Sequence, residues 1–154
     1  ILGTSEMTFQ RLVNAVNTSR HLDKMVFQHG VNSIGAFLGR ECRDYWPRSE
    51  MLKYIKSADL IISHAGIGTI LDCLYFNKKV ILVERKQELL ESKADQSAAI
   101  EYFKHYDGID VCSCLSELDA LISEKLVESG NISATVTESP KKISNIIRDF
   151  LSSQ

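Results

Sequence analysis

The segment His64-Ala65-Gly66-Ile67-Gly68-Thr69 follows the apolar approach Asp59-Leu60-Ile61-Ile62-Ser63 and leads into an amphipathic run. That order reads as a strand-to-helix turn suited to an anion. Glycines at 66 and 68 let a ligand come close to the backbone, and the unpaired N–H groups of a first helical turn, together with the helix dipole, favour phosphate or diphosphate. Thr69 and Asp72 lie one turn apart on a common face of the predicted helix. A carboxylate beside a bound phosphate is repelled unless it has a job of its own. Accepting hydrogen bonds from the hydroxyls of a nucleotide's ribose would be such a role, as in dinucleotide-binding folds with a differently placed acid.

The turn has an alternative reading of equal weight, since many α/β domains use glycine there only to pack a helix on a sheet. The spacing falls short of G-x-G-x-x-G because position 71 is Leu. No Gly-Lys-Ser/Thr follows, so it is not a P-loop.

Elements that position this turn are legible on both sides. Ile67, Ile70, Leu71, Leu74 and Tyr75 recur at helical spacing and predict a core-facing stripe. A first strand ending at Ile1-Leu2 precedes a helix near Thr8 to Thr18 with Phe9, Leu12, Val13 and Val16 inward. Strands are predicted at Met25 to Gln28, Cys42 to Trp46, Leu60 to Ser63, Lys79 to Val83 and Ile109 to Cys112. Between them lie a glycine-containing loop over 30–39, a helix carrying Met51, Leu52 and Ile55, a polar segment over 84–93 and a helix over about Asp95 to Tyr106. Ser116 and Asp119 predict a capping box for the helix bearing Leu118, Leu121, Ile122 and Leu126. Ser139-Pro140 predicts the start of a last helix with Ile143, Ile146, Ile147 and Phe150 on one face, after a loop over 128–138. Alternating strands and helices predict an α/β fold, a Rossmann-like parallel sheet with helices on both faces. Ligands of such sheets sit beyond the carboxyl ends of the strands, where residues 3–5, 28–30, 45–46, 64–69 and 84–96 converge.

The 154 residues, 44% hydrophobic and 25% charged, fit one domain over 1–154 with its own core. A net charge of −2 argues against nucleic acid as a partner. No run approaches the ~18 apolar residues of a membrane span, and no signal peptide is visible, so the expected location is cytoplasmic. Cys42, Cys73, Cys112 and Cys114 form no C-x-x-C pair and are expected to be reduced thiols. His21, His29 and His105 are isolated, no metal site is expected, and no cofactor is called for. The chain opens at Ile1-Leu2-Gly3-Thr4 without methionine, read as a first strand truncated at its N-terminus.

Taken together, Gly3-Thr4 with Phe9 and Leu12, Gln28-x-Gly30, the run Ser57 to Asp72, Lys79 to Val83 and Asp95-Gln96 resemble the glycosyltransferase family 28 C-terminal domain. The resemblance covers nearly the whole chain. It is nearest to the stand-alone type, the small catalytic subunits of two-component UDP-GlcNAc transferases of dolichol-linked oligosaccharide synthesis and of bacterial exopolysaccharide and capsule transferases. That resemblance implies the C-terminal half of a GT-B fold, binding a UDP-sugar, with a membrane-anchored partner supplying the pocket for a lipid-linked sugar acceptor and recruiting this chain peripherally.

Residue by residue, the resemblance implies that Gly66, Ile67, Gly68 and Thr69 hold the diphosphate, with His64 and Ala65 leading into the turn and Gly3, Thr4 and Ser5 facing it. Asp72 would hold the ribose, Asp95 and Gln96 the donor sugar hydroxyls, and Trp46 the uracil. Relatives often carry His or Asn before the Gln motif, where this chain reads Glu91 to Gln96; Lys93 reads either as a phosphate partner or as a surface lysine. The implied reaction is inverting transfer, which needs a general base and stabilisation of the departing diphosphate. His64 is the candidate base here, set against a turn-capping role, and the base otherwise lies on the partner. Two alternatives stay open: a nucleotide-binding or assembly module without turnover, and a fragment of a larger single-chain GT-B enzyme.

Overall fold

The computed structural model describes residues 1–3, 5–129 and 140–152. Its strands are β1 (Val26–Gln28), β2 (Glu41–Arg43), β3 (Ile61–His64), β4 (Val80–Val83) and β5 (Ile109–Val111), and all its pairings are parallel. Its helices are α1 (Gln10–Asn17), α2 (Arg48–Ser57), α3 (Ile67–Tyr75), α4 (Ser97–Phe103), α5 (Leu118–Ser129) and α6 (Pro140–Ser152). β1 pairs with β2, and β3-β4-β5 form a second group. Residues 1–2 bridge the groups: the Ile1 nitrogen donates to the Ile62 carbonyl at 2.6 Å and the Leu2 N–H to the Gln28 carbonyl at 3.0 Å. Counting that bridge as the first strand gives the order 3-2-1-4-5-6 of doubly wound sheets, whose crevice opens where the chain reverses direction between the first and fourth strands. Gly3 and His64 sit at those two strand ends.

β4 is central, and each of its four residues is at most 1% exposed. Its side chains alternate between two cores. Val80 and Leu82 pack with Ile55, Ile61, Ile70, Phe103 and Ile146 on one face, so α2, α3, α4 and α6 cover that side. Ile81 and Val83 pack with Leu12, Val13, Phe27, Leu118 and Ile122, so α1 and α5 cover the other. A continuous aliphatic run suits a strand wet on neither face, and each such side chain removed from water contributes about 1.5–3 kcal/mol.

Helix α3 ends in a left-handed residue, Asn77 (φ 51°). The Lys78 N–H returns to the Cys73 carbonyl at 2.8 Å and the Asn77 N–H to the Leu74 carbonyl at 3.2 Å, which satisfies the last carbonyls and turns the chain into β4.

Several expectations shift in the fold. The third strand is Glu41–Arg43, earlier than Cys42 to Trp46: pairing reaches as far as the Gly30 N–H on the Asp44 carbonyl, and the chain then leaves the sheet before Trp46. The buried side of α3 centres on Ile70 and Cys73 at 0% exposure, while Ile67 is 39% exposed in the open first turn. The Ser116 and Asp119 capping box does not form. A 3-10 turn over Leu115–Glu117 precedes α5, and the Asp119 carboxylate instead accepts from Ser19 Oγ at 2.5 Å and the Arg20 N–H at 3.1 Å. On α6, Ile146 and Phe150 are buried and Ile147 is 38% exposed. Ser139 and most of the loop expected over 128–138 lie outside the described residues. Cys42, Cys73, Cys112 and Cys114 are free thiols. No helix among the described residues is long and apolar enough to cross a membrane.

Candidate functional site

The crevice is built around His64. Its imidazole lies between two glycines: a Cβ on Gly3 would come within 2.8 Å of His64 Cε1, and one on Gly66 within 2.5 Å of Nε2. Gly3 also adopts φ +68°, which side-chain-bearing residues rarely enter. The two glycines thus let one ring close the gap between the first-strand turn and the β3 turn. Burial, aided by the nearby Arg85 guanidinium, pushes His64 down from 6.5 to about 4, so the ring is neutral at pH 7. Its Nδ1 is buried without a hydrogen-bond partner among the described residues.

From that ring the chain enters α3 through Gly66, which is extended (φ −79°, ψ 118°) and carries no side-chain cap. The Gly66 carbonyl accepts from the Ile70 N–H at 3.1 Å, so the N–H groups of Ile67, Gly68 and Thr69 have no acceptor within the helix. Gly68 is exposed, and a Cβ there would meet nothing within 4 Å. This is an open helix N-terminus with uncapped donors and positive potential, the arrangement that suits an anion. Ala65, just before it, is buried.

Asp72 lies farther along α3 in a bidentate pair with Arg48, the first residue of α2. Arg48 Nη2 donates to Oδ1 at 2.8 Å and Nη1 to Oδ2 at 3.0 Å. The carboxylate is 17% exposed and the arginine 72%. Sequence reasoning missed Arg48, because nothing in local spacing links the start of α2 to the second turn of α3. The hydrogen bond to Asp72, then its charge, raises the Arg48 pKa further.

Arg85 was also missed, and it is 2% exposed. Its Nη1 donates to the Met7 and Glu91 carbonyls, both at 2.8 Å, and its Nη2 to the Leu2 carbonyl at 3.0 Å. The guanidinium also lies 4.9 Å from the Phe9 ring centroid. It ties the first-strand turn to the loop after β4. Arg11 reinforces that loop through the Glu91 carboxylate at 2.8 Å and the Glu84 carbonyl.

The remaining expected residues take distinct positions. Ser5 Oγ accepts from the Met7 N–H at 3.1 Å, so it shapes its own turn. Thr4 lies outside the described residues. Asp95 is exposed and caps α4, accepting from the Ser97 N–H and Oγ, each at 2.8 Å. Those two bonds, the backbone one first, lower its pKa. Gln96 Oε1 accepts from the Arg85 N–H at 3.3 Å, which leaves the amide nitrogen as a donor. Lys93 pairs loosely with Glu6 at 3.8 Å, both side chains well exposed.

Trp46 is 2% exposed, its ring 4.9 Å from that of Tyr54 and its Nε1 buried without a partner among the described residues. The exposed aromatic at this rim is its neighbour Tyr45, 54% exposed. Gln28 organises the rim from below: its Oε1 accepts from the Trp46 N–H at 3.2 Å and its Nε2 donates to the Gly3 carbonyl at 3.3 Å. The structure therefore brings Gly3, His64 and the turn 66–69 together, sets Asp72 on the same helix, and leaves the Trp46 ring in the core. Among the described residues no three His, Cys, Asp or Glu side chains cluster as metal ligands.

The model of the glycosyltransferase family 28 C-terminal domain matches residues 5–107, which include the turn, Asp72, Asp95 and Gln96. A UDP-N-acetylglucosamine transferase subunit, ALG13, of Candida albicans is 57% identical over 35 residues, 23% of this chain. The match spans 12% of that protein's length. No solved structure matches the chain.

Proposed function

The chain belongs to the glycosyltransferase family 28 C-terminal domain family, and on that premise we propose that it is the donor-binding subunit of a two-component inverting glycosyltransferase. The donor is a UDP-sugar, UDP-GlcNAc or a related UDP-hexose. The acceptor is a lipid-linked sugar held by a membrane-anchored partner that recruits this chain to the membrane surface. Residues 1–154 act as one UDP-sugar-binding half-domain, which has a donor crevice and relies on the partner for the acceptor pocket.

The observation that carries this reading is the uncapped N-terminus of α3 with open space before Gly68 and a carboxylate, Asp72, farther along the same helix. The N–H groups of Ile67, Gly68 and Thr69 receive the diphosphate, and their fixed dipoles stabilise the charge that grows on it as the sugar leaves. Gly3 and Ser5 face it from the turn after the first strand. Asp72 accepts from the ribose hydroxyls. The amide nitrogen of Gln96 donates to a donor-sugar hydroxyl, with Asp95 alongside. The uracil lies over the rim at residues 45–46. The packing of His64 between Gly3 and Gly66 supports a spacing role over proton transfer, which leaves the base to the partner. The relative's name, a UDP-N-acetylglucosamine transferase subunit, supports both the donor and the need for a second subunit.

Calorimetric titration of the chain with UDP, GDP and ADP tests the site. Binding of UDP in preference to the purine nucleotides, weakened at least about tenfold in Asp72→Ala, is expected for a lost charged hydrogen-bond acceptor. Failure of all three nucleotides to bind would overturn the reading. Recovery of a membrane-bound partner on native purification tests the two-component part.

A further inference from the structure

The Arg48–Asp72 pair plays no part in the reading above, on which the following rests. We propose that Arg48 is a positioning residue that acts through Asp72, cancelling the charge of the ribose-binding carboxylate so that the crevice can accept a diphosphate beside it.

At 1.5 Å rise per residue, Asp72 stands only about 7.5 Å along the helix from the first N–H groups of α3. That is within about one Debye length, so an uncompensated carboxylate there would weaken diphosphate binding at the turn. Arg48 meets it with a two-pronged fork at 2.8 and 3.0 Å. Such a pair uses one lone pair of each carboxylate oxygen and leaves the others for ribose hydroxyls. The clamp thus compensates the charge without blocking the acceptor.

The position of Arg48 argues that the pair serves binding. It is the first residue of α2, directly after Pro47, where a helix favours an acid and a cation faces the positive end of the dipole. The arginine end of the pair stands largely in solvent, which screens what the pair adds to stability against that local cost. Arg48 is 72% exposed, so the core does not need it. A residue that breaks a local rule without a packing gain points to a functional demand.

The test is titration of the full chain and of Arg48→Ala, Arg48→Lys, Asp72→Asn and the Arg48→Ala/Asp72→Asn double variant with UDP and with uridine, at low and high ionic strength. Matched thermal melts are expected to show that all variants fold. Arg48→Ala is expected to weaken UDP about tenfold and uridine no more than about twofold, as for a Coulomb effect across a partly solvated crevice. The UDP loss shrinks at high salt, Arg48→Lys retains most of the affinity, and Arg48→Ala costs nothing further in the Asp72→Asn background. Equal losses for UDP and uridine, or no loss for either, would overturn the proposal while leaving the nucleotide site standing. If the unaltered chain binds neither ligand, the nucleotide site falls and this inference with it.

Discussion

The imidazole of His64 occupies the space that a β-carbon on Gly66 would need, with Nε2 2.5 Å from that position. Gly66→Ala is therefore expected to force the ring aside and to cost about 1–3 kcal/mol, the usual range for overpacking. His64→Ala should make the same substitution nearly neutral. Denaturant midpoints of the two single variants and the double variant measure the coupling, and additive losses would show that the glycine is needed for something other than the ring.

Acid should destabilise the fold through the same residue. The unfolded chain takes up the proton near pH 6.5, whereas native His64 resists it until about pH 4. Its contribution is complete above about pH 6.5 and is lost as pH falls towards 4, amounting to at most about 3 kcal/mol. Urea titrations across that window should show the slope, and His64→Gln should flatten it.

Gly68→Ala should separate stability from binding. Gly68 is helical and exposed, and a methyl there would touch nothing in the protein. Stability should rise by about 0.4–1 kcal/mol from reduced freedom in the unfolded chain. UDP affinity should fall, because the methyl occupies the approach to the first-turn N–H groups. Unchanged affinity would place the diphosphate elsewhere.

Removal of Arg85 should be costly. Arg85→Met leaves the carbonyls of Leu2, Met7 and Glu91 without their donor in a buried setting. A loss of about 3 kcal/mol or more is expected, since each buried acceptor left unsatisfied costs about 1–3 kcal/mol. A shift in thermal midpoint below about 3 °C would be too small for that role.

Much of this architecture is legible in local pattern. Helix α3 runs from Ile67 to Tyr75 as the apolar spacing predicts, and β4 coincides with the aliphatic run Val80 to Val83, because burial there follows directly from residue type. The glycine turn could be placed for the same reason. Long side chains that reach across the fold could not. Arg85 and Arg48 carry no local signature, since their partners lie up to 83 and 24 residues away. Trp46 reads as a rim residue from its position, yet the neighbouring Tyr54 offers a better apolar surface than water and draws the ring inward. Asp119 reads as half of a capping box, but Ser19 and Arg20 compete for it from another segment. Ile67 belongs to the predicted stripe by spacing, and the open end of the helix leaves it partly wet.

Arg85 also bears on how the crevice moves. One guanidinium joins the end of the first strand, the turn before α1 and the loop after β4, so no one of these segments can open while the others keep all their bonds. Amide hydrogens along the three segments should exchange with solvent together, as a single cooperative unit, instead of each loop fraying at its own rate. A ligand that orders any one of them would slow exchange in all.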